Sequence, residues 1–378
     1  MKLGIGMIIF ENDLYVVGGC ISAWVHKQYI KKLNLDIKLI VMVDEKIYKY
    51  KDELKKYFDE IVLINLIEMK LNPEYKVIYK YSKWMHYSIN KWQILNLDYY
   101  DKILFIDTDI LPICDKFYDI FLIDTPGITI KDNKSKFNDI ANPQDFSDKK
   151  TFENNEYFNA SLKLKKSLDA GLILFKPDKK LYAEYINFIK ICENKSGYIS
   201  MYHSSVDETT ILLFLMFYKK KDLHLIPYDF ATIPWENVPY DKNKVKGINF
   251  LSMIKPWVKL PIIQFAEENI WHKIVKKAFD KKSILTTLYL KYLINELYDF
   301  YFSYKKNLTK HNSPYNMECL KNKKLASHTY NLFSFLKNNK KENLNIENIE
   351  QIINMTVLIH KNMDKKLLID IDELENII

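Results

Sequence analysis

The sequence predicts an α/β fold built on a mostly parallel sheet, with a helical extension toward its C-terminal end. Two observations carry that expectation. Over the first 110 residues, apolar segments of strand length alternate with segments of helical period, the rhythm of βαβ units. From about Ile263 onward the pattern is helix-rich.

The elements follow in order. Leu3–Phe10 is an apolar run halted by Glu11-Asn12-Asp13 and reads as a buried first strand rather than a leader segment. A helix is expected over Leu14–Tyr29, a strand over Asp36–Val43, a helix over Glu45–Phe58 and a strand over Ile61–Ile64. Then come a helix over Tyr87–Leu97 and a strand over Lys102–Ile106. No GxGxxG follows the first strand, and Gly18-Gly19 falls inside the expected helix, so a dinucleotide-binding Rossmann site is unsupported. Residues 131–166 are rich in Asn, Asp, Lys and Ser without a period and read as a long, flexible insertion loop. A strand at Gly171–Phe175, helices at Asp178–Cys192 and Val206–Phe217, and short strands at Leu223–Ile226 and Lys246–Leu251 complete the pattern. Segments 283–304, 322–337 and 346–362 look helical, joined by Lys/Asn-rich connectors. We therefore expect one domain over 1–275 and a helical region of unassigned role over 276–378.

Composition narrows the chemistry. At 48% hydrophobic and 14% aromatic, the chain supports a real core, which excludes global disorder. All 56 basic residues are lysines, against 48 acidic ones, for a net charge of +8. Without arginine no phosphate can be gripped by a planar bidentate fork; lysine, backbone N–H groups or a metal must do it. The lysines are spread among acids with no nucleic-acid motif, so a solvated surface is expected and no nucleic-acid partner. Four scattered cysteines (Cys20, Cys114, Cys192, Cys319) form no CxxC, which suits a reducing compartment. The longest apolar run, Ile211 to Tyr218, is too short to span a bilayer. Neither a Gly-x-Ser-x-Gly nor a P-loop pattern is present, and the histidines have no metal-ligand spacing.

The sharpest chemical signal is Ile103-Leu104-Phe105-Ile106-Asp107-Thr108-Asp109-Ile110-Leu111. An apolar strand ends in Asp-x-Asp, and carboxylates at i and i+2 past a strand's C-terminal edge can converge on one hard cation. Ligands of open α/β sheets bind at that edge. A polar turn with two solvated aspartates is the plain alternative.

Around this core the residues resemble the glycogenin branch of glycosyltransferase family eight. Lys91-Trp92 precedes Asp107 by the family's interval, and Asn12-Asp13-Leu14-Tyr15 resembles its nucleotide loop. Leu168-Asp169-Ala170-Gly171-Leu172, Val206-Asp207-Glu208 and the block from Gly247 to Lys255-Pro256-Trp257 match further motifs in order, over roughly residues 1–260. The resemblance implies a GT-A fold and retaining transfer of a sugar from a UDP-sugar with Mn²⁺ or Mg²⁺. It implies Asp107, Asp109 and Asn249 as metal ligands; Asp207, Asp169 and Lys255 as catalytic residues; and Asn12, Tyr15, Lys91, Thr108, Glu208 and Ser252 as further contacts to the bound donor. A half-buried Tyr15, solvated Lys91 and Lys255, and Asp207 as a helix cap are the bland alternatives. The departures are specific. Asn249 stands where the family has His, Asp169 where it has Asn, Glu208 where it has Gln, and Ser204 where glycogenins have an acid. Glucose is favoured by resemblance alone, and the acceptor is a hydroxyl on a protein or glycan, with self-glycosylation and homodimer formation among the expectations. The departures also leave open a catalytically inactive nucleotide-sugar or glycan-binding protein. A cytoplasmic location, including a host's cytoplasm for a viral chain, is the matching expectation.

Overall fold

The computed structural model describes residues 1–70, 84–130, 168–195, 206–219, 221–233, 241–251, 255–257, 269–280 and 282–293, with 295, 334, 335 and 351. They fall into two units: Met1–Asn12 with Val25–Asn249, and Asp13–Trp24 with Phe250–Ile378. The expected loop over 131–166 and most of the segments 322–337 and 346–362 lie outside the described residues.

In the first unit, β1 (Leu3–Ile9), β2 (Ile37–Val43), β3 (Glu60–Leu63), β4 (Lys102–Ile106), β6 (Gly127–Ile130), β7 (Leu168–Phe175) and β8 (His224–Ile226) form a seven-stranded sheet among the described residues, in the order β3-β2-β1-β4-β7-β6-β8. Pairings β3–β2, β2–β1, β1–β4 and β6–β8 are parallel; β4–β7 and β7–β6 are antiparallel. The expected mostly parallel α/β sheet is what the chain forms. Strands β1 and β2 are buried along nearly their whole length. A strand covered on both faces has no polar side, which is why these read in the sequence as continuous apolar runs.

The order 3-2-1-4 places functional loops. From β1 the chain goes outward to β2 and β3, then returns to β4 on the other side of β1. Because β1 and β4 are parallel, Ile9 and Ile106 end at the same edge of the sheet, at the point where the winding reverses. The antiparallel neighbour β7 begins at that same edge, since Ile106 pairs with Leu172.

Several local expectations need correcting. The helix expected over Glu45–Phe58 is two short turns, α2 (Glu45–Tyr48) and α3 (Lys51–Leu54), parted at Tyr50, whose ψ of 10° leaves the helical run. The segment Met85–Asn96 is helical but wound as a 3₁₀ helix. Here the Asn90 amide donates to Tyr87 O (2.7 Å) and brackets the backbone N–H and C=O of Ile67 (both 2.8 Å). A side chain that competes for backbone groups disfavours the regular i→i+4 pattern. Helix α4 (Lys179–Lys195) starts on Asp178, whose Oδ1 accepts from Lys180 N and Leu181 N. Helix α5 (Val206–Leu213) runs on as a π-type turn over Phe214–Tyr218. Strand β5 (Ile110–Pro112), the 3₁₀ helix Asp115–Leu122 and β6 have no counterpart in the sequence pattern. β5 pairs antiparallel with β9 (Gly247–Asn249) in a separate two-stranded sheet.

The second unit is held by aromatics. Trp257 and Trp271 have ring centroids 5.0 Å apart, and Phe250 meets Trp271 at 5.4 Å. Helix α1 (Leu14–Lys32) carries Gly18, and a Cβ there would come 2.3 Å from the Trp257 ring. Only a glycine lets the indole lie on the helix backbone. Residues 269–278 (helix α6, Asn269–Ala278) and 284–293 are helical, as the tail pattern anticipates. Among the described residues no helix is long and apolar enough to cross a membrane.

Candidate active site

Asp107 and Asp109 sit in the turn that joins β4 to β5. Ile110 N donates to Asp107 O at 3.1 Å, closing a four-residue turn with Thr108 and Asp109 at its centre. A turn of this kind brings side chains at i and i+2 near one another at the sheet edge. Thr108 and Asp109 are buried; the Asp107 side chain is about one-third exposed, at 34%.

Lys91 ties this turn to helix α5. Its Nζ lies 2.9 Å from Asp107 Oδ1, 3.1 Å from Asp107 Oδ2 and 2.9 Å from Asp207 Oδ2. It also lies 5.7 Å from the centroid of the Phe105 ring. Asp207 is in the first turn of α5, where the helix dipole favours a negative charge, and its side chain is 1% exposed. Burial works against the Lys91 ammonium, but the Asp107 and Asp207 carboxylates outweigh it and raise its pKa above the usual lysine value. Burial raises the Asp107 carboxyl, Lys91 pulls it down, and Asp109 and Asp207 raise it again, which together leave it above the usual carboxylate range, at about 6. Lys91 is thus a largely buried ion-pair partner of two candidate site residues and not a solvated lysine.

Across the strand, Asp107 N donates to Gly171 O at 2.8 Å. The β6–β7 pairing slips between Ile128, opposite Ile173, and Thr129, opposite Asp169. That irregularity re-aims the start of β7. Asp169 Oδ1 accepts from Gly171 N (2.9 Å) and its Oδ2 from Asn249 Nδ2 (3.0 Å). A Cβ on Gly171 would lie 2.9 Å from Asp169 Oδ1 and 3.2 Å from Asp107 Oδ2, so the absence of a side chain there is what admits both carboxylates. Asn249 closes the ring: it pairs with Ile110, the residue after Asp109, and it is 3% exposed.

The first unit therefore gathers Lys91, Asp107, Asp109, Asp169, Asp207 and Asn249 from five separate segments. Glu208 follows Asp207 in α5 and is buried. Asn12 stands in the loop after β1, and this loop has a support that sequence reasoning missed. Asp44, after β2, accepts from Glu11 N at 3.1 Å through Oδ2 and from Ile47 N at 3.0 Å through Oδ1. The signal was an acid at a strand's C-terminal end opening a helical turn. In the second unit, Lys255 Nζ lies 5.6 Å from the Tyr15 ring centroid, and the Trp257 ring lies 6.2 Å from Tyr15. Trp257 Nε1 donates to Leu14 O at 3.0 Å. Ser252 and Ser204 lie outside the described residues.

One atom points to a ligand. Asn249 Oδ1 is buried and has no hydrogen-bond partner among the described residues. A buried acceptor left unmet costs about 1–3 kcal/mol, and a cation would satisfy it. Among the described residues no three His, Cys, Asp or Glu side chains cluster as a metal set, and this buried amide oxygen is a candidate third protein oxygen beside Asp107 and Asp109. Carboxylate and amide oxygens are the donors that Mg²⁺ and Mn²⁺ accept, and the residues present fit such an ion.

No protein-family model and no curated protein matches the chain. Among solved structures it is similar to the glycosyltransferase GlyE of Streptococcus pneumoniae TIGR4, at 13% identity and a TM-score of 0.40, covering 77% of this chain and 63% of that one. It is similar to the galactosyltransferase LgtC, solved with donor and acceptor sugar analogues, at 16% identity and a TM-score of 0.40, covering 73% of this chain and 95% of that one. It is also similar to mouse xyloside xylosyltransferase 1, at 11% identity and a TM-score of 0.37, covering 66% and 97%. The chain thus spans 63% of the length of the GlyE structure.

Proposed function

We propose that the chain is a divalent-cation-dependent, retaining glycosyltransferase of the GT-A fold and of family eight, with its catalytic domain over residues 1–275. It moves a hexose, with glucose favoured, from a UDP-sugar to a hydroxyl on a protein or glycan. The observation that carries this reading is the buried Asn249 Oδ1, without a hydrogen-bond partner among the described residues, on the strand that pairs with the residue after the Asp107-Thr108-Asp109 turn at the switch point of the sheet. Asp107, Asp109 and Asn249 would hold Mn²⁺ or Mg²⁺. When bound, the ion supplies charge neutralisation to the diphosphate oxygens of the leaving group.

The chain's own residues do the rest. With no arginine to clamp phosphate, Lys91 is a largely buried point charge of the first unit. Its two ion pairs hold Asp207 and Asp107 in fixed relation, which preorganises the site before a donor arrives. Asp207 and Glu208 are assigned to the donor sugar. Tyr15 and Lys255, which lie together in the second unit, are assigned to the base and the phosphates. Residues 276–378 keep no assigned role, and cytoplasmic location and a homodimer are part of the proposal.

The departures from the motif at Asn249, Asp169 and Glu208 also favour a second reading, a protein that binds a nucleotide sugar or glycan without transferring it. Hydrolysis of a UDP-sugar panel, with Mn²⁺ and with excess EDTA, separates the two. Turnover that requires Mn²⁺ and falls at least 100-fold in Asp109→Asn, a loss of about 2.7 kcal/mol, supports the enzyme. Undiminished turnover in EDTA or in the variant sinks the Asp-x-Asp assignment, and binding without turnover across the panel favours the second reading.

A further inference from the structure

The resemblance implies Asp169 as a catalytic residue facing the donor sugar, yet both of its oxygens are occupied within the protein. Oδ1 accepts from Gly171 N and Oδ2 from Asn249 Nδ2. The side chain belongs to a residue only 4% exposed. An ionised carboxylate can only accept hydrogen bonds. The Asn249 amide must therefore turn its NH₂ toward Asp169, and its carbonyl oxygen must face the other way. That oxygen is buried and has no hydrogen-bond partner among the described residues. The amide's orientation thus follows from donor and acceptor chemistry, with no choice left between O and N.

The two positions are 80 residues apart, and both are positions at which the chain departs from the motif it resembles. Read together they are one change. We propose that Asp169 is a positioning residue: it locks the Asn249 amide with Oδ1 presented to the divalent cation, completing an all-oxygen site with Asp107 and Asp109. This rests on the cation reading above.

The effect of Asp169→Asn follows from the same chemistry. The introduced amide still accepts from Gly171 N through its oxygen, so its NH₂ faces Asn249. The Asn249 amide then flips to offer Oδ1 to that donor, and its NH₂ turns toward the cation, where it cannot ligate. The exchanged pair, Asp169→Asn with Asn249→Asp, restores the arrangement with reversed polarity. The carboxylate now at position 249 accepts from the amide at position 169 through one oxygen and keeps the other for the ion. The net charge of the pair is unchanged.

The test is binding of Mn²⁺ alone, followed by the electron paramagnetic resonance signal of free Mn²⁺, with thermal unfolding in EDTA as the check on folding. The single variant should bind about 10- to 100-fold more weakly than the wild type, the usual effect of removing an outer-shell partner. The exchanged pair should bind at least as tightly as the wild type, because a carboxylate oxygen then faces the ion. A single variant that binds Mn²⁺ like the wild type overturns the positioning role and leaves the cation reading standing. An exchanged pair as weak as the single variant also overturns it, because charge at residue 169 and not amide orientation would then be what matters. A wild type that binds no Mn²⁺ overturns both.

Discussion

Lys91 Nζ lies 2.9 Å from Asp207 Oδ2, pairing a residue of the 3₁₀ helix before β4 with the first turn of α5. Asp207 is buried, so this is a pair whose partners depend on each other. Removing one member of a buried pair leaves an uncompensated charge and costs about 3–5 kcal/mol. Lys91→Met should lower unfolding free energy by about that much in urea titration. The double variant Lys91→Met with Asp207→Asn should recover part of the loss, because the buried carboxylate that Lys91 neutralised is then itself neutral. Equal stability of Lys91→Met and wild type would mean the pair contributes nothing.

Gly171 is the contact point between two carboxylates. A methyl there would lie 2.9 Å from Asp169 Oδ1, closer than such atoms come, and 3.2 Å from Asp107 Oδ2. Gly171→Ala is expected to cost about 1–3 kcal/mol of stability. It should also lower Mn²⁺ affinity by displacing the carboxylates. Wild-type affinity in a folded Gly171→Ala protein would show that the site tolerates their displacement.

His26 gives a pH dependence with a definite sign. Its ring is wholly buried, Nδ1 lies 3.1 Å from Tyr118 Oη, and Nε2 has no partner among the described residues. The ring packs at 5.5 Å from Phe117 and 6.0 Å from Tyr118. Burial lowers its pKa to about 3. Below pH 6.5 the unfolded chain takes up a proton that the native chain refuses. Stability from this residue is therefore full above about pH 6.5 and is lost as pH falls toward 3, by up to about 1.4 kcal/mol per pH unit. His26→Gln should be less stable than wild type at pH 7, and that gap should narrow by about 1–2 kcal/mol at pH 5. A gap that stays constant between the two pH values would contradict a buried neutral ring.

Gly18 supports Trp257 in the second unit. A Cβ at residue 18 would reach within 2.3–2.6 Å of three indole carbons. Gly18→Ala should displace the ring, change tryptophan fluorescence and cost about 1–3 kcal/mol. Trp257→Phe, a smaller ring, should relieve part of that cost in the double variant. If Gly18→Ala has native fluorescence and stability, the packing of this helix face is looser than the contact implies.

How much of the site was legible depended on distance along the chain. The Asp107-Thr108-Asp109 turn was legible because strand, turn and acids are contiguous. Lys91 was legible only through resemblance, since a lysine in a polar helical face ordinarily meets water. β5 escaped notice because three residues ending in Pro112 show no period, and their strand character comes from pairing with β9. Asp44 escaped because its contact to Glu11 N exists only once β1 and β2 lie side by side.

By itself the sequence determined the alternation of elements, the buried character of β1, β2 and β4, and that no arginine is available anywhere in the chain. These properties depend on side-chain period and composition, which are local. Tertiary structure decided which charges meet. Strand order set Asp107 beside Gly171, the slip in β6–β7 turned Asp169 toward Asn249, and helix packing brought Asp207 to Lys91. Hydrogen bonds and ion pairs act over a few ångströms, and only the folded backbone brings residues so far apart in the chain within that range.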